Sequence, residues 1–144
     1  MVDYRLPFEN MIAVGNYSWS SSEINAMHFP FTGKRRIRST MTLVLFDEYM
    51  ESKEVIRALN EMKLRAARLP EFLAFGARYP DLQNKFPIVG LGSVWKDPYD
   101  RGRVPILWND FQQRHLDLGW FDYPWAKYYC FAAVYKRLRR RVLL

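Results

Sequence analysis

Phe86-Pro87-Ile88-Val89-Gly90-Leu91-Gly92-Ser93-Val94-Trp95 opens the run of segments that decides the fold class. Val104-Pro105-Ile106-Leu107-Trp108, Leu116-Asp117-Leu118-Gly119-Trp120-Phe121 and Tyr128-Tyr129-Cys130-Phe131-Ala132-Ala133-Val134-Tyr135 follow it. Each is short, rich in β-branched or aromatic residues, and bounded by turn formers, which is the pattern of strands. Asp97-Pro98-Tyr99-Asp100-Arg101-Gly102 is the clearest hairpin signal. Asn109-Asp110 begins the next connection, and Asp122-Tyr123-Pro124 lies in the one after. Short strands in succession predict an antiparallel meander or a half-open barrel. Pro105 donates nothing to a ladder and so marks an edge or a strand start. Gly90, Gly92 and Gly119 mark bends or close backbone approach.

Upstream, Arg36 to Phe46 alternates like a strand. Ile37, Ser39, Met41, Leu43 and Leu45 share one face, and Arg36, Arg38, Thr40, Thr42 and Val44 the other. A helix over about residues 52–68 is expected next, capped by Asp47 or Ser52. Val55, Leu59, Met62, Ala66 and Leu69 recur there as one apolar stripe. Pro70 then opens a fresh first turn, with Glu71 near the positive end of the new helix dipole. Residues 1–35 read as irregular, apart from capping-box spacing at Ser20-Ser21-Ser22-Glu23 that predicts a short helix through Met27. The expected fold is a single α+β domain. It has an antiparallel four- to five-stranded sheet, or half-open barrel, with one or two helices packed on one face. Residues 1–35 lead in, 36–135 make the core, and 136–144 form a basic C-terminal tail.

Three strings carry a resemblance: Leu73-Ala74-Phe75-Gly76-Ala77-Arg78-Tyr79-Pro80, Pro87-Ile88-Val89-Gly90-Leu91-Gly92-Ser93-Val94-Trp95, and Phe131-Ala132-Ala133-Val134-Tyr135-Lys136. Over its last half the chain resembles a group of short uncharacterised bacterial proteins. The resemblance implies a self-contained module and transfers no functional residue.

A chain of 144 residues buries enough surface to fold without a metal or disulfide staple. Its one cysteine, Cys130, lies in an apolar segment and is expected to be a buried thiol. With only His28 and His115 beside it, no zinc spacing exists, and no cofactor is expected. No apolar run is long enough to span a bilayer, and the N-terminal residues lack a signal-peptide core, so a cytoplasmic protein without a membrane role is expected. A Cys130–His115–Asp117 grouping is conceivable across adjacent strands, but a cysteine among apolar residues is more often core. Asp97, Asp100, Asp110 and Asp122 sit where turns favour Asp for its own sake. Gly90-Leu91-Gly92-Ser93 lacks the remaining glycine and lysine of a phosphate loop.

The cations remain. The net charge is +7, and residues 136–141 hold five of the 22 basic side chains and no acid. The rest of the chain balances 17 cations against 15 acids, or +2. Lys34, Arg35, Arg36 and Arg38 form one acid-free cluster, and Lys136, Arg137, Arg139, Arg140 and Arg141 the other. Arg57, Lys63, Arg65 and Arg68 are interleaved with Glu51, Glu54 and Glu61 and read as a solvated helix face. The two acid-free clusters predict a non-enzymatic protein that binds nucleic acid or a nucleoprotein through phosphate contacts, with exposed aromatics available to stack on bases. The alternative is a protein–protein interaction module, such as an inhibitor or an assembly subunit of a mobile element or larger particle, that uses its aromatic surface.

Overall fold

The strand Cys130–Tyr135 organises the molecule, because its side chains enter two different cores. Phe131 and Ala133 pack with Val55, Leu59, Leu64, Val89, Val104 and Trp125. Ala132 and Val134 pack with Leu69, Phe72, Leu73, Ile88, Leu107 and Leu116. A strand buried on both faces reads as an unbroken apolar run, and residues 130–134 are all buried.

The structure is a computed structural model and describes residues 1–136. Its strands are β1 (Val2–Asp3), β2 (Trp19–Ser20), β3 (Arg36–Ile37), β4 (Met41–Leu45), β5 (Leu64–Ala66), β6 (Ile88–Val89), β7 (Trp95–Lys96), β8 (Gly102–Asp110), β9 (Gln113–Trp120) and β10 (Cys130–Tyr135). Its α-helices are α1 (Phe8–Ala13), α2 (Ser52–Glu61) and α3 (Leu69–Arg78).

One edge of β10 pairs antiparallel with β4. Its other edge is shared by β5, antiparallel, and β6, parallel. β6 pairs with β8, β8 forms a hairpin with β9, and β2 lies parallel to β9. Among the described residues the sheet thus has eight strands, in the order β2-β9-β8-β6-β10-β4, with β5 beside β10 and β7 beside β8. β1 and β3 pair separately.

This corrects the expected antiparallel sheet of four to five strands. The sheet is mixed, because the chain leaving β9 does not return beside β9. The two-residue β6 separates β8 from β10. It also corrects the expected packing on one face. Phe8 and Met11 of α1 and Phe72 and Leu73 of α3 fill one core, while Val55 and Leu59 of α2 fill the other.

Several local expectations change as well. The helix expected over residues 52–68 ends at Glu61, because Lys63 takes a left-handed backbone (φ 60°) and residues 64–66 pair with β10. Met62 is consequently half exposed, not core. The cap is Glu51, whose N–H donates to Glu54 at 3.2 Å; neither Asp47 nor Ser52 takes that role. Ser52 is buried, donating to the Phe121 carbonyl and accepting from Trp125 Nε1. Residues 86–95 break at Gly92, whose N–H donates to the Ala67 carbonyl at 2.9 Å. Arg36 to Phe46 divides between β3 and β4, and the helix expected after Ser20 is absent. A helix does form earlier, as α1, where residues 1–35 read as irregular.

Candidate functional site

Glu71 is the centre of the arrangement. It lies in the first turn of α3 and is 2% exposed. Its carboxylate accepts the Arg68 N–H at 2.9 Å and both terminal nitrogens of Arg65, at 2.8 and 2.6 Å. Arg65 reaches it because β5 alternates: Leu64 and Ala66 turn into the α2-side core, so Arg65 projects to the other face. The hydrogen bonds to Glu71 push the Arg65 guanidinium further toward its charged form, against a smaller opposing effect of burial. Tyr4 stands close by, and burial followed by the Glu71 charge pushes its hydroxyl above the ordinary tyrosine range.

These residues floor and wall a groove of about 580 Å³. Arg38 enters it from the β3–β4 connection, Arg65 from β5, Arg68 from the start of α3, and Tyr135 and Lys136 from the end of β10. Lys136 is fixed by its N–H to the Lys63 carbonyl at 3.1 Å and by its ammonium on Asn60 Oδ1. Among the described residues, Glu71 is the one carboxylate in the lining. Among the described residues, Arg38, Arg68 and Lys136 enter no ion pair. The groove can therefore hold an anion without first breaking a salt bridge.

A second cleft, of about 390 Å³, adjoins the groove and shares Tyr4 and Arg68 with it. Its other walls are Phe29, Pro30, Phe31, Thr32, Leu69, Pro70 and Ser93.

The cations expected to act as two clusters are distributed differently. Arg38 and Lys136 come together at the groove. Lys34 and Arg35 are exposed on the approach to β3. Arg36 lies on β3 and pairs with Asp3 at 3.3 Å, so its run is free of acid in sequence but not in space. Asp3 also holds Arg5 at 2.9 Å, and that bond first, then Arg36, keeps its carboxyl well below the usual range. Arg137, Arg139, Arg140 and Arg141 lie outside the described residues. Arg65 and Arg68, read from sequence as a solvated helix face, are the groove residues that reading missed. Nothing in the neighbouring sequence signals this, because the strand that redirects Arg65 forms only by pairing with β10.

The nucleophilic grouping does not assemble. β8 and β6 separate β9, which carries His115 and Asp117, from β10, which carries Cys130. His115 instead stacks on Trp108, with ring centroids 4.3 Å apart. Cys130 is buried, and that burial pushes its thiol up. Asp97 organises its own turn, accepting the Tyr99 and Arg101 N–H groups at 2.9 and 3.0 Å. Among the described residues, no three His, Cys, Asp or Glu side chains gather as a metal site would require, and no helix is long and apolar enough to cross a membrane. Compared with family models, curated proteins and solved structures, the chain matches none.

Proposed function

We propose that this chain is a binding protein that holds the phosphates of a nucleic acid, free or within a nucleoprotein, in the groove between β5, α3 and the end of β10. One observation carries the reading: Arg38, Arg65, Arg68 and Lys136 converge from four separate segments around one groove whose lining, among the described residues, contains a single acid. Four cations against the one Glu71 carboxylate leave a net positive charge at one place, which attracts a polyanion. Lys136 is followed in sequence by Arg137, Arg139, Arg140 and Arg141, which extend the cationic run. Each phosphate met by a cation releases condensed counterions, so binding is weakened by salt. With Arg38 and Arg68, and with Lys136 once its ammonium exchanges Asn60 Oδ1 for a phosphate, the slope of log affinity against log salt is about −2 for a single strand.

Fluorescence anisotropy with labelled RNA, DNA single strands and duplex, at several salt concentrations, tests this. The triple variant Arg38→Gln, Arg68→Gln, Lys136→Gln is expected to stay folded, lose most of the affinity and flatten the slope. If no nucleic acid binds at low salt, or the triple variant binds as the wild type does, the reading fails. The exposed aromatics Tyr49, Tyr99 and Phe111 then become the surface to test against a protein partner.

A further inference from the structure

We infer that the nucleic acid is taken as a single strand, with one unpaired base entering the cleft beside the phosphate groove. This rests on the phosphate-binding reading above and adds the chemical class of the ligand. The groove and the cleft meet at Tyr4 and Arg68, which line both. On one side the surface is cationic. On the other, Phe29, Pro30, Phe31, Leu69 and Pro70 make it apolar, with Ser93 and Thr32 as hydroxyl groups. A nucleotide has the same polarity at the same scale, a planar ring of low charge joined to a phosphate.

The cleft walls are held in place. Phe29 is 4% exposed. Phe31 packs against Phe8 and Tyr4, with ring centroids 6.1 and 5.9 Å away. Gly33 lies so close to Tyr4 that a Cβ there would meet the ring at 2.7 Å, so the chain braces Tyr4 from that side. Ser93 Oγ accepts the Leu69 N–H at 2.8 Å and keeps its own proton to donate to a base edge. A cleft of about 390 Å³ falls within the range of small-ligand sites, roughly 300–1,000 Å³. A paired base would have to leave its stack and its partner to enter, and an unpaired base pays far less.

The experiment compares two labelled single strands with the same number of phosphates, one intact and one abasic, on the full chain. The intact strand is expected to bind about 5- to 150-fold more tightly, the span measured for one stacked base, with the same salt slope. Phe31→Leu, checked for folding by circular dichroism, is expected to weaken the intact strand and leave the abasic strand unchanged, because Phe31 lines the cleft and not the groove. Duplex is expected to bind like the abasic strand. Equal affinity for intact and abasic strands overturns the inference, and so does duplex bound as tightly as the intact strand. In either case, sensitivity of both ligands to Arg68→Gln with Lys136→Gln leaves the phosphate reading standing. If no strand binds at all, the phosphate reading falls and the inference falls with it.

Discussion

Replacing Glu71 by Gln should lower stability and raise affinity together, a combination that few surface changes produce. The wild-type carboxylate takes three charge-assisted hydrogen bonds, two from Arg65 and one from the Arg68 N–H. The amide retains one acceptor and turns an NH₂ toward donors. Breaking a fully buried ion pair costs about 3–5 kcal/mol. The Arg65 side chain is 33% exposed, so water takes up part of its lost solvation, and about 2–3 kcal/mol is expected here. With an unfolding entropy of about 2.1 cal/mol/K per residue, the 144 residues give about 0.3 kcal/mol/K, hence a fall in Tm of about 7–10 °C. Meanwhile the groove loses the Glu71 carboxylate and Arg65 loses its partner. Polyanion affinity at low salt should rise by up to about fivefold, the scale of one partly exposed charge pair. The salt slope should steepen by about 0.7 as one more phosphate is neutralised. Thermal unfolding by circular dichroism and anisotropy titrations at several salt concentrations measure both. An unchanged Tm refutes the role of Glu71 in holding β5 to α3. Weaker binding by the folded variant refutes the assignment of the groove as the phosphate site.

Gly92→Ala should destabilise the fold by about 1–3 kcal/mol in urea unfolding, because its Cβ would lie 2.4 and 2.5 Å from the carbonyl oxygens of Ala67 and Ala66; an unchanged midpoint counts against that packing. Cys130 should react with a thiol reagent far more slowly in the native than in the unfolded protein near neutral pH, since burial disfavours its thiolate, and equal rates contradict this. For Asp97, burial opposes the charge, but the N–H groups of Arg101 and Tyr99 and the Arg101 guanidinium outweigh it, so the folded carboxyl sits below its ordinary value. A depressed carboxyl contributes stability above its unfolded pKa of about 3.9 and loses it as pH falls through the lower folded value. Asp97→Asn should therefore be less stable than wild type at neutral pH, with the gap closing below about pH 4; a gap constant down to pH 2 contradicts the assignment.

What could be read from the sequence depended on neighbours a few residues away. The unbroken apolar run at 130–134 announces a buried strand and a structural cysteine. Pro70 with Glu71 announces the start of α3, and Asp97 announces its own turn. The close approaches at Gly92 and Gly119 were legible too, because a strand position without a side chain usually has something against it. What stayed hidden is the pairing of distant segments. Nothing within residues 64–66 says that the free edge of β10 will take them as a strand, so the apolar spacing of α2 runs on past its true end. A short β6 between β8 and β10 turns an expected meander into a mixed sheet covered on both faces. The site follows the same division. The sequence by itself determined that cations gather at residues 34–38 and 136–141. Only the tertiary structure decided that Asp3 takes Arg36, and that Arg38 and Lys136 join Arg65 and Arg68 around Glu71. Charge density along a chain is local, whereas the field at a groove sums over every segment the fold brings there.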